Sequence, residues 1–485
     1  MSIRNLEPTA LWNHFADLNA VPRPSKKEER VVEFMMNFGK SLGLETIKDS
    51  IDNVIIKKPA TSGMENRQTV VLQSHLDMVH QKNGDTIFDF DAQGIEMLIE
   101  GDWVTANGTT LGADNGIGVA TIMALLASKE IPHPAIEALF TIDEETGMTG
   151  AIHVDSKNIS GTILLNLDTE DDDELSIGCA GGIDTNTSYT YTSEPTKENS
   201  ASFLITIKGL LGGHSGMDIH RGRGNANKLM TRIVRHLMDQ FSVQLAAFDG
   251  GSLRNAIPRE ATAQLVVEKS NVAQFNSEFQ RISEEIIAEY KSIEAHLNID
   301  FNEVEVPQSV VGLEDSVKII DTLYAVVNGV YRMSPEIEDL VEASSSLARV
   351  IVKEGTFSTQ SLQRSSVESS KKDVANMVKA AFSSMGCSVV QNGDYPGWSP
   401  NANSPILTLM KDLYIKRYNE EPKIKACHAG LECGILGKHF PKMDMISFGP
   451  NIRAAHSPDE KVQISSVQKY WGYLLETLTQ IPFAN

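Results

Sequence analysis

The chain has 485 residues, about two to four times the usual length of one domain, so at least two domains are expected. Its 41% hydrophobic and 22% charged residues fit a globular protein with a sizeable core. With 43 Lys plus Arg against 64 Asp plus Glu, the formal charge is −21, which argues against nucleic acid or an anionic membrane as a partner. A local arginine can still hold a small anionic substrate. No run of about 18 apolar residues marks a transmembrane helix. The opening MSIRNLEPTALWNHFADL carries Glu7 and Asp17 and lacks the pattern of a secretory signal. Four cysteines (Cys179, Cys387, Cys427, Cys433) form no dense framework and no CxxC, which points to a reducing, cytoplasmic setting.

In chain order, helices are predicted over residues 8–18 and 26–42, with Pro22 and Pro24 between them. Strands follow at Asn53–Ile56, Thr69–Gln73, Ile136–Ile142 and Thr162–Leu167, with an apolar helix from Gly116 to about Ser128. Apolar strands alternating with helices predict a layered α/β domain around a mostly parallel sheet. After Gly181 and Gly182 the character changes. Residues 184–200 are rich in Thr and Ser, and alternating ASFLITIKG leads into LLGGHSG. A helix over 225–240, a strand at Thr262–Val267 and a long helix over 271–296 follow. Residues 300–312 read as an internal linker.

Residues 313–392 repeat this coarse plan of helix, two strands, helix and strand, so an internally duplicated α+β domain is expected. From about residue 400 the α/β character returns, with a helix over 404–417, a strand at Met443–Phe448 and a closing helix over 465–479. The simplest organisation is a catalytic domain of residues 1–183 and 399–485, interrupted by an inserted lid domain at 184–398. Pro396, Gly397 and Trp398 form the returning turn.

Five segments place metal-ligand residue types just beyond predicted strands, where open α/β sheets bind ligands. His75 and Asp77, two apart in VVLQSHLDMV, point to one side of an extended backbone. Asp114 sits in the Gly-rich turn of TTLGADNGIG, Glu144 and Glu145 follow FTID, Asp168 follows LLNL, and His456 follows ISFGPNIRAA. Two imidazoles and several carboxylates without a thiolate suit zinc, manganese or cobalt as a cocatalytic pair of divalent ions. A tight turn makes Asp114 a good bridging ligand, and Glu144, beside a ligand, is the candidate proton acceptor. Asp77 would orient His75 from behind. Taken singly, each of these residues also fits a solvated acidic patch or a hydrogen-bonded surface histidine.

The strings QSHLDMV, TTLGADNGIG, TIDEETGMTGA, LLNLDTEDDDELSIGCAGG, KGLLGGHSGMDIHRGRGNANK, LRNAIPRE, GDYPGWSPNANSP, CHAGLECG and AHSPDEKVQISS span the whole chain. In this order they resemble the zinc aminoacylase and carboxypeptidase superfamily, and within it the bacterial aminoacyl-histidine dipeptidase branch. The resemblance implies hydrolysis of unblocked dipeptides, Xaa-His among them, by a cytosolic dinuclear metallo-dipeptidase. His75 and Asp168 would hold one metal, Glu145 and His456 the other, and Asp114 would bridge. Glu144 would act as general base and then acid, with Asp77 polarising His75. His214, from GGHSG, would stabilise the oxyanion. Simpler relatives borrow this histidine from a partner subunit. The doubled lid would let it act in cis, with a homodimer left open.

Arg364 would grip the substrate carboxylate, with Gly430 of CHAGLECG shaping the pocket. A deacylase or tripeptidase of the same superfamily is the competing reading, and a non-enzymatic binding protein a more distant one. His80 stands where the family string carries a proline, yet removes no expected ligand. His428 and Glu432 could share a helix face, but Gly430 between them and the missing HExxH pattern argue against a metal role. GIGVA and GRGNANK miss the dinucleotide and P-loop patterns. Arg221, Arg223, Arg254 and Asn255 could flank the pocket or serve the surface of the lid.

Overall fold

The computed structural model describes residues 2–484. The chain forms two compact units. One takes residues up to Gly178 with Trp398–Ala426 and the chain from Leu431 onward, and the other takes Cys179–Gly397 with Cys427–Gly430.

The first unit is built on an eight-stranded sheet in the order Glu45–Lys48, Val54–Lys58, Ile136–Thr141, Val70–His75, Ile163–Asn166, Asp444–Ser447, Glu174–Cys179, Lys423–Cys427. The four strands from Ile136–Thr141 to Asp444–Ser447 run parallel. Every residue of Val70–His75 and Ile136–Thr141 is buried, which explains why these strands read as unbroken apolar runs. The expectation of a mostly parallel sheet holds only for this centre, because Glu45–Lys48, Val54–Lys58 and Glu174–Cys179 pair antiparallel. The first of these pairs is closed by a short turn whose Asp49 accepts the N–H groups of Ile51 and Asn53, and a turn that short can join only antiparallel strands.

Helix Ala113–Ala127 is apolar around its circumference and buried along nearly its full length. A side chain at Gly118 would meet Ser74 Oγ at 2.4 Å and the Leu167 carbonyl at 2.7 Å, so glycine lets this helix sit directly on the parallel strands. Helix Pro405–Tyr418 starts with proline in its first turn and Ser404 accepting the Leu407 N–H. A small second sheet joins Ile452–Arg453, Lys461–Gln463, Trp103–Ala106 and Met97–Glu100. The four central strands end together at Thr141, His75, Asn166 and Ser447, which defines the edge that carries the site.

In the second unit a nine-stranded sheet follows the path Asn298–Val304, Ser200–Lys208, Ala261–Glu268, Gln244–Gly250, Val341–Lys353, Thr356–Ser365, Gly181–Thr190, Ser388–Tyr395, with Gly329–Met333 added on Val341–Lys353. Helices Ala226–Met238, Val272–Tyr290, Leu313–Ala325 and Glu368–Met385 pack their apolar residues into one core with it. The predicted linker at 300–312 is corrected. Asn298–Val304 is a strand paired with Ser200–Lys208, and Ser309–Val311 pairs with Ser193–Pro195. Phe301 stacks on Phe203 and Phe279 at 4.6 and 4.2 Å, an anchor masked in the sequence by the acidic residues and Pro307 around it.

Candidate functional site

His75 closes the central strand with 1% of its side chain exposed. Its Nδ1 lies 3.2 Å from the Asp77 carbonyl and 3.3 Å from Asp77 Oδ1. Its Nε2 lies 3.2 Å from Asp114 Oδ1 and 3.7 Å from Asp168 Oδ1. Asp77 also accepts the backbone N–H groups of Glu144 (3.0 Å) and Glu145 (3.3 Å) and the Ser25 hydroxyl (2.8 Å). One buried carboxylate thus ties the first histidine to the turn bearing the glutamate pair. Burial opposes its charge, but the His75, Glu144 and Ser25 hydrogen bonds outweigh it and hold the Asp77 carboxyl below its ordinary value.

Asp114 interrupts its helix with φ −79° and ψ 109°, just after Gly112 at φ 69°. One of its oxygens faces His75 and the other lies 3.2 Å from His456 Nε2, which in turn lies 2.9 Å from Glu145 Oε2. Burial would raise the Asp114 carboxyl, yet both histidines hold it well below its usual range. Hydrogen bonds first to Asp114 and then to Glu145 push the His456 imidazole up to about 11. Burial pushes the carboxyls of Glu144 and Asp168 well above their ordinary values.

Ligand atoms of His75, Asp114 and Glu145 lie within 4.8 Å of one another, and Glu145 Oε1 is buried with no hydrogen-bond partner among the described residues. Carboxylates converging in a buried site with an unsatisfied oxygen need positive charge, and oxygen and imidazole donors fit a divalent cation. A second group, Glu28, Asp77 and Asp143, also converges. Its oxygens are engaged: Asp143 accepts from Lys26, Thr146 and Thr149, and Glu28 accepts the Lys26 N–H. Among the described residues, only the first group holds a fully buried oxygen without a hydrogen-bond partner.

Sequence reasoning missed Glu460 and Arg23 beneath these residues, and the resemblance gave Glu432 only as a residue of the pocket or behind it. Glu460, in SPDEK, accepts the backbone N–H groups of Leu111, Gly112, Ala113 and Asp114 at 2.7, 2.8, 2.8 and 3.1 Å. Arg23, 1% exposed between two prolines, donates to the carbonyls of Leu76, Asp77 and Gly112 and to Asn19 Oδ1. Glu432 accepts from Gln73 Nε2 and Thr141 Oγ at 2.6 and 2.7 Å, and burial raises its carboxyl to about 7. Glu432 begins helix Glu432–His439 whereas His428 precedes it, so the two share no helix face. His80 is exposed and meets the Phe90 ring edge-on at 5.9 Å.

In the second unit, His214 Nδ1 accepts the N–H groups of Gly216 (3.2 Å) and Met217 (2.9 Å), which leaves the proton of the neutral ring on Nε2. Burial, then the Arg364 charge, lower this imidazole to about 4, so it is neutral at pH 7. Asp218 accepts the His214 N–H and pairs with Arg221 and Arg223, so these arginines brace the GGHSG turn. Arg254 pairs with Asp184, and the Asn255 carbonyl accepts the Ser215 N–H.

Arg364 is 5% exposed. It donates to the Tyr395 hydroxyl at 2.8 Å, its Nη2 lies 3.4 Å from His214 Nε2, and its Nε has no partner among the described residues. A buried guanidinium that pairs with none of the described carboxylates is costly unless an anion joins it. Gly430 is half-buried in the short segment Cys427–Gly430. A side chain at Gly216 would collide with the His428 carbonyl of that segment at 1.9 Å.

A profile of peptidase family M20/M25/M40 matches residues 71–480. The chain belongs to this family. It is 41% identical over 480 residues to the cytosol non-specific dipeptidase of Escherichia coli K12, covering 99% of each chain. The crystal structure of an aminoacylhistidine dipeptidase from Vibrio alginolyticus is 43% identical, with TM-score 0.94 over 100% of this chain and 99% of that one. Aminopeptidase PepT from Bacillus cereus, at 16% identity and TM-score 0.57 over 98% and 99%, shares the fold.

Proposed function

We propose that this chain is a dinuclear metallo-dipeptidase that hydrolyses unblocked dipeptides, Xaa-His dipeptides among them. The observation that carries this reading is Asp114, whose two oxygens each face a different imidazole, beside an unpartnered oxygen of Glu145. His75 and Asp168 would hold one ion, Glu145 and His456 the other, and Asp114 both. Zinc is the first candidate, with manganese and cobalt also suited to these donors. Bound divalent ions supply Lewis-acid polarisation of the scissile carbonyl and ease deprotonation of water.

The protein residues do the rest. Glu144 takes the proton of the attacking water and returns it to the leaving amine. Asp77 fixes the Glu144 backbone while orienting His75. Neutral His214, with its proton on Nε2, donates to the oxyanion that forms on the carbonyl. Arg364 pairs with the substrate's terminal carboxylate, and Gly430 leaves room for it. With the free amine held by acidic groups near the metals and the carboxylate by Arg364, the substrate is restricted to dipeptides.

Residues 1–183 and 399–485 act as the catalytic domain and 184–398 as the lid. Internal duplication of the lid is supported by its topology. Ser200–Lys208, helix Ala226–Met238, Gln244–Gly250, Ala261–Glu268, helix Val272–Tyr290 and Asn298–Val304 make one half. Gly181–Thr190, helix Leu313–Ala325, Val341–Lys353, Thr356–Ser365, helix Glu368–Met385 and Ser388–Tyr395 repeat that succession, with the same strand order outward from the Gln244–Gly250 and Val341–Lys353 pair. A second half of this kind takes the place of a partner's lid, so His214 acts in cis and catalysis needs no dimer. The protein acts in the cytoplasm on dipeptides, a reading supported by cysteines that form no disulfide among the described residues. Among the described residues no helix is long and apolar enough to cross a membrane.

Chelation followed by reconstitution tests the proposal. Recovery of Xaa-His dipeptide hydrolysis should saturate at two equivalents of metal per chain, and hydrolysis indifferent to chelation would refute it.

A further inference from the structure

Ser344, Arg364, Gly182 and Tyr395 form one row across four neighbouring strands of the second unit, each in register with the next. Tyr395 reaches this row because the pairing of Ser388–Tyr395 slips between Asn392 and Tyr395, an irregularity that re-aims a side chain. A Cβ on Gly182 would lie 2.6 Å from the Tyr395 hydroxyl oxygen and 2.7 Å from its ring, so the missing side chain is the space the phenol occupies. Across that space the hydroxyl accepts from Arg364 Nη1 at 2.8 Å. The tyrosine is itself anchored. Its carbonyl accepts from Lys371 Nζ at 2.6 Å, and the fully buried Lys371 also pairs with Asp394 at 2.6 Å.

We propose that Tyr395 is a positioning residue for substrate selection: its hydroxyl, seated over Gly182, aims the Arg364 guanidinium at the terminal carboxylate of the dipeptide. This rests on the role given above to Arg364. An arginine side chain has several flexible torsions, and a planar guanidinium recognises a carboxylate only when its fork is correctly turned. Tyr395 occupies Nη1, and His214 stands beside Nη2, so the guanidinium is held at one end with Nε left open. Preorganisation of this kind lowers the cost of ordering the group when the anion arrives.

The test compares an unblocked Xaa-His dipeptide with its C-terminal amide on the metal-loaded full chain, using Tyr395→Phe, Gly182→Ala and Arg364→Met. Tyr395→Phe removes only the hydroxyl. It should raise KM for the free acid about tenfold, the value of one hydrogen bond to a charged group, with kcat nearly unchanged. KM for the amide should stay put, so the preference for the acid shrinks. Gly182→Ala should reproduce this shift by displacing the phenol. If Tyr395→Phe leaves the acid-to-amide ratio intact while Arg364→Met abolishes it, the positioning role is wrong and the Arg364 reading stands. An equal loss on both substrates in Tyr395→Phe would also overturn the role, since it would mark a general structural effect. If Arg364→Met itself keeps the ratio, the carboxylate reading of Arg364 fails and takes this inference with it.

Discussion

Glu460 Oε1 accepts the backbone N–H of Asp114 at 3.1 Å together with that of Ala113, and Oε2 accepts those of Leu111 and Gly112. A residue near the end of the chain thereby holds the turn that presents the shared carboxylate. Glu460→Ala should weaken metal binding by about 10–100-fold, the usual effect of losing a support behind a ligand. Glu460→Gln, which keeps one acceptor oxygen, should fall between. Competition against a chromogenic chelator measures both, and unchanged affinity in Glu460→Ala would show that the turn holds its shape unaided.

Because the two oxygens of Asp114 face different histidines, Asp114→Ala should compromise both metal positions, whereas Asp168→Ala and His456→Ala should each compromise one. Metal content after equilibrium dialysis should then be near zero in the first variant and near one equivalent in the other two. One equivalent retained in Asp114→Ala would mean that it does not bridge.

Beneath the site runs a buried chain of side chains across the strand ends. Glu432 accepts from Thr141 and Gln73, Gln73 accepts from Asn166 at 2.5 Å, and Asn166 accepts from Ser447. Glu432→Ala strands two buried donors and should cost about 2–4 kcal/mol of stability, while Glu432→Gln should cost about 1 kcal/mol. Urea unfolding midpoints decide the matter, and equal midpoints for Glu432→Ala and the parent chain would contradict the network's role.

His428 is buried with Nε2 at 2.7 Å from Ser344 Oγ. Burial, then the charges of Arg364 and His214, lower its imidazole from 6.5 to about 3. The folded protein therefore favours the neutral ring. Its stabilising contribution is complete above pH 6.5 and is lost as pH falls toward about 3, where the unfolded chain binds a proton that the folded one refuses. His428→Gln should flatten the stability profile in that window. A variant as acid-sensitive as the parent would point to other groups.

Much of this was legible in the sequence, and the limits have physical causes. His75, Glu145 and Asp168 are readable because each follows an apolar run read as a strand, Asp114 and His456 because they sit in turns beyond one, although each alone also fits an ordinary surface position. Asp77 was readable from its two-residue spacing to His75, but its grip on the Glu144–Glu145 turn depends on contacts 67 and 68 residues apart. Glu460 and Arg23 look like ordinary polar residues in the sequence, since most of their partners are backbone groups far along the chain, and the partners of Glu432 are side chains 291 and 359 residues away. The strand Asn298–Val304 was hidden because its solvent-facing acidic residues outweigh the alternation of Ile299 and Phe301. The antiparallel pairing of Glu45–Lys48 with Val54–Lys58 depends on turn length at residues 49–53, which periodicity does not register.

The most direct test of the central claim is kcat/KM on the metal-loaded chain for an unblocked Xaa-His dipeptide, its N-acetylated form and a matched tripeptide, with Glu144→Ala alongside. The account predicts efficient cleavage of the unblocked dipeptide alone, reduced at least about 100-fold in Glu144→Ala by loss of the proton-transfer group. Preference for the acetylated or tripeptide substrate would contradict the dipeptidase assignment, and full activity in Glu144→Ala would contradict the mechanism.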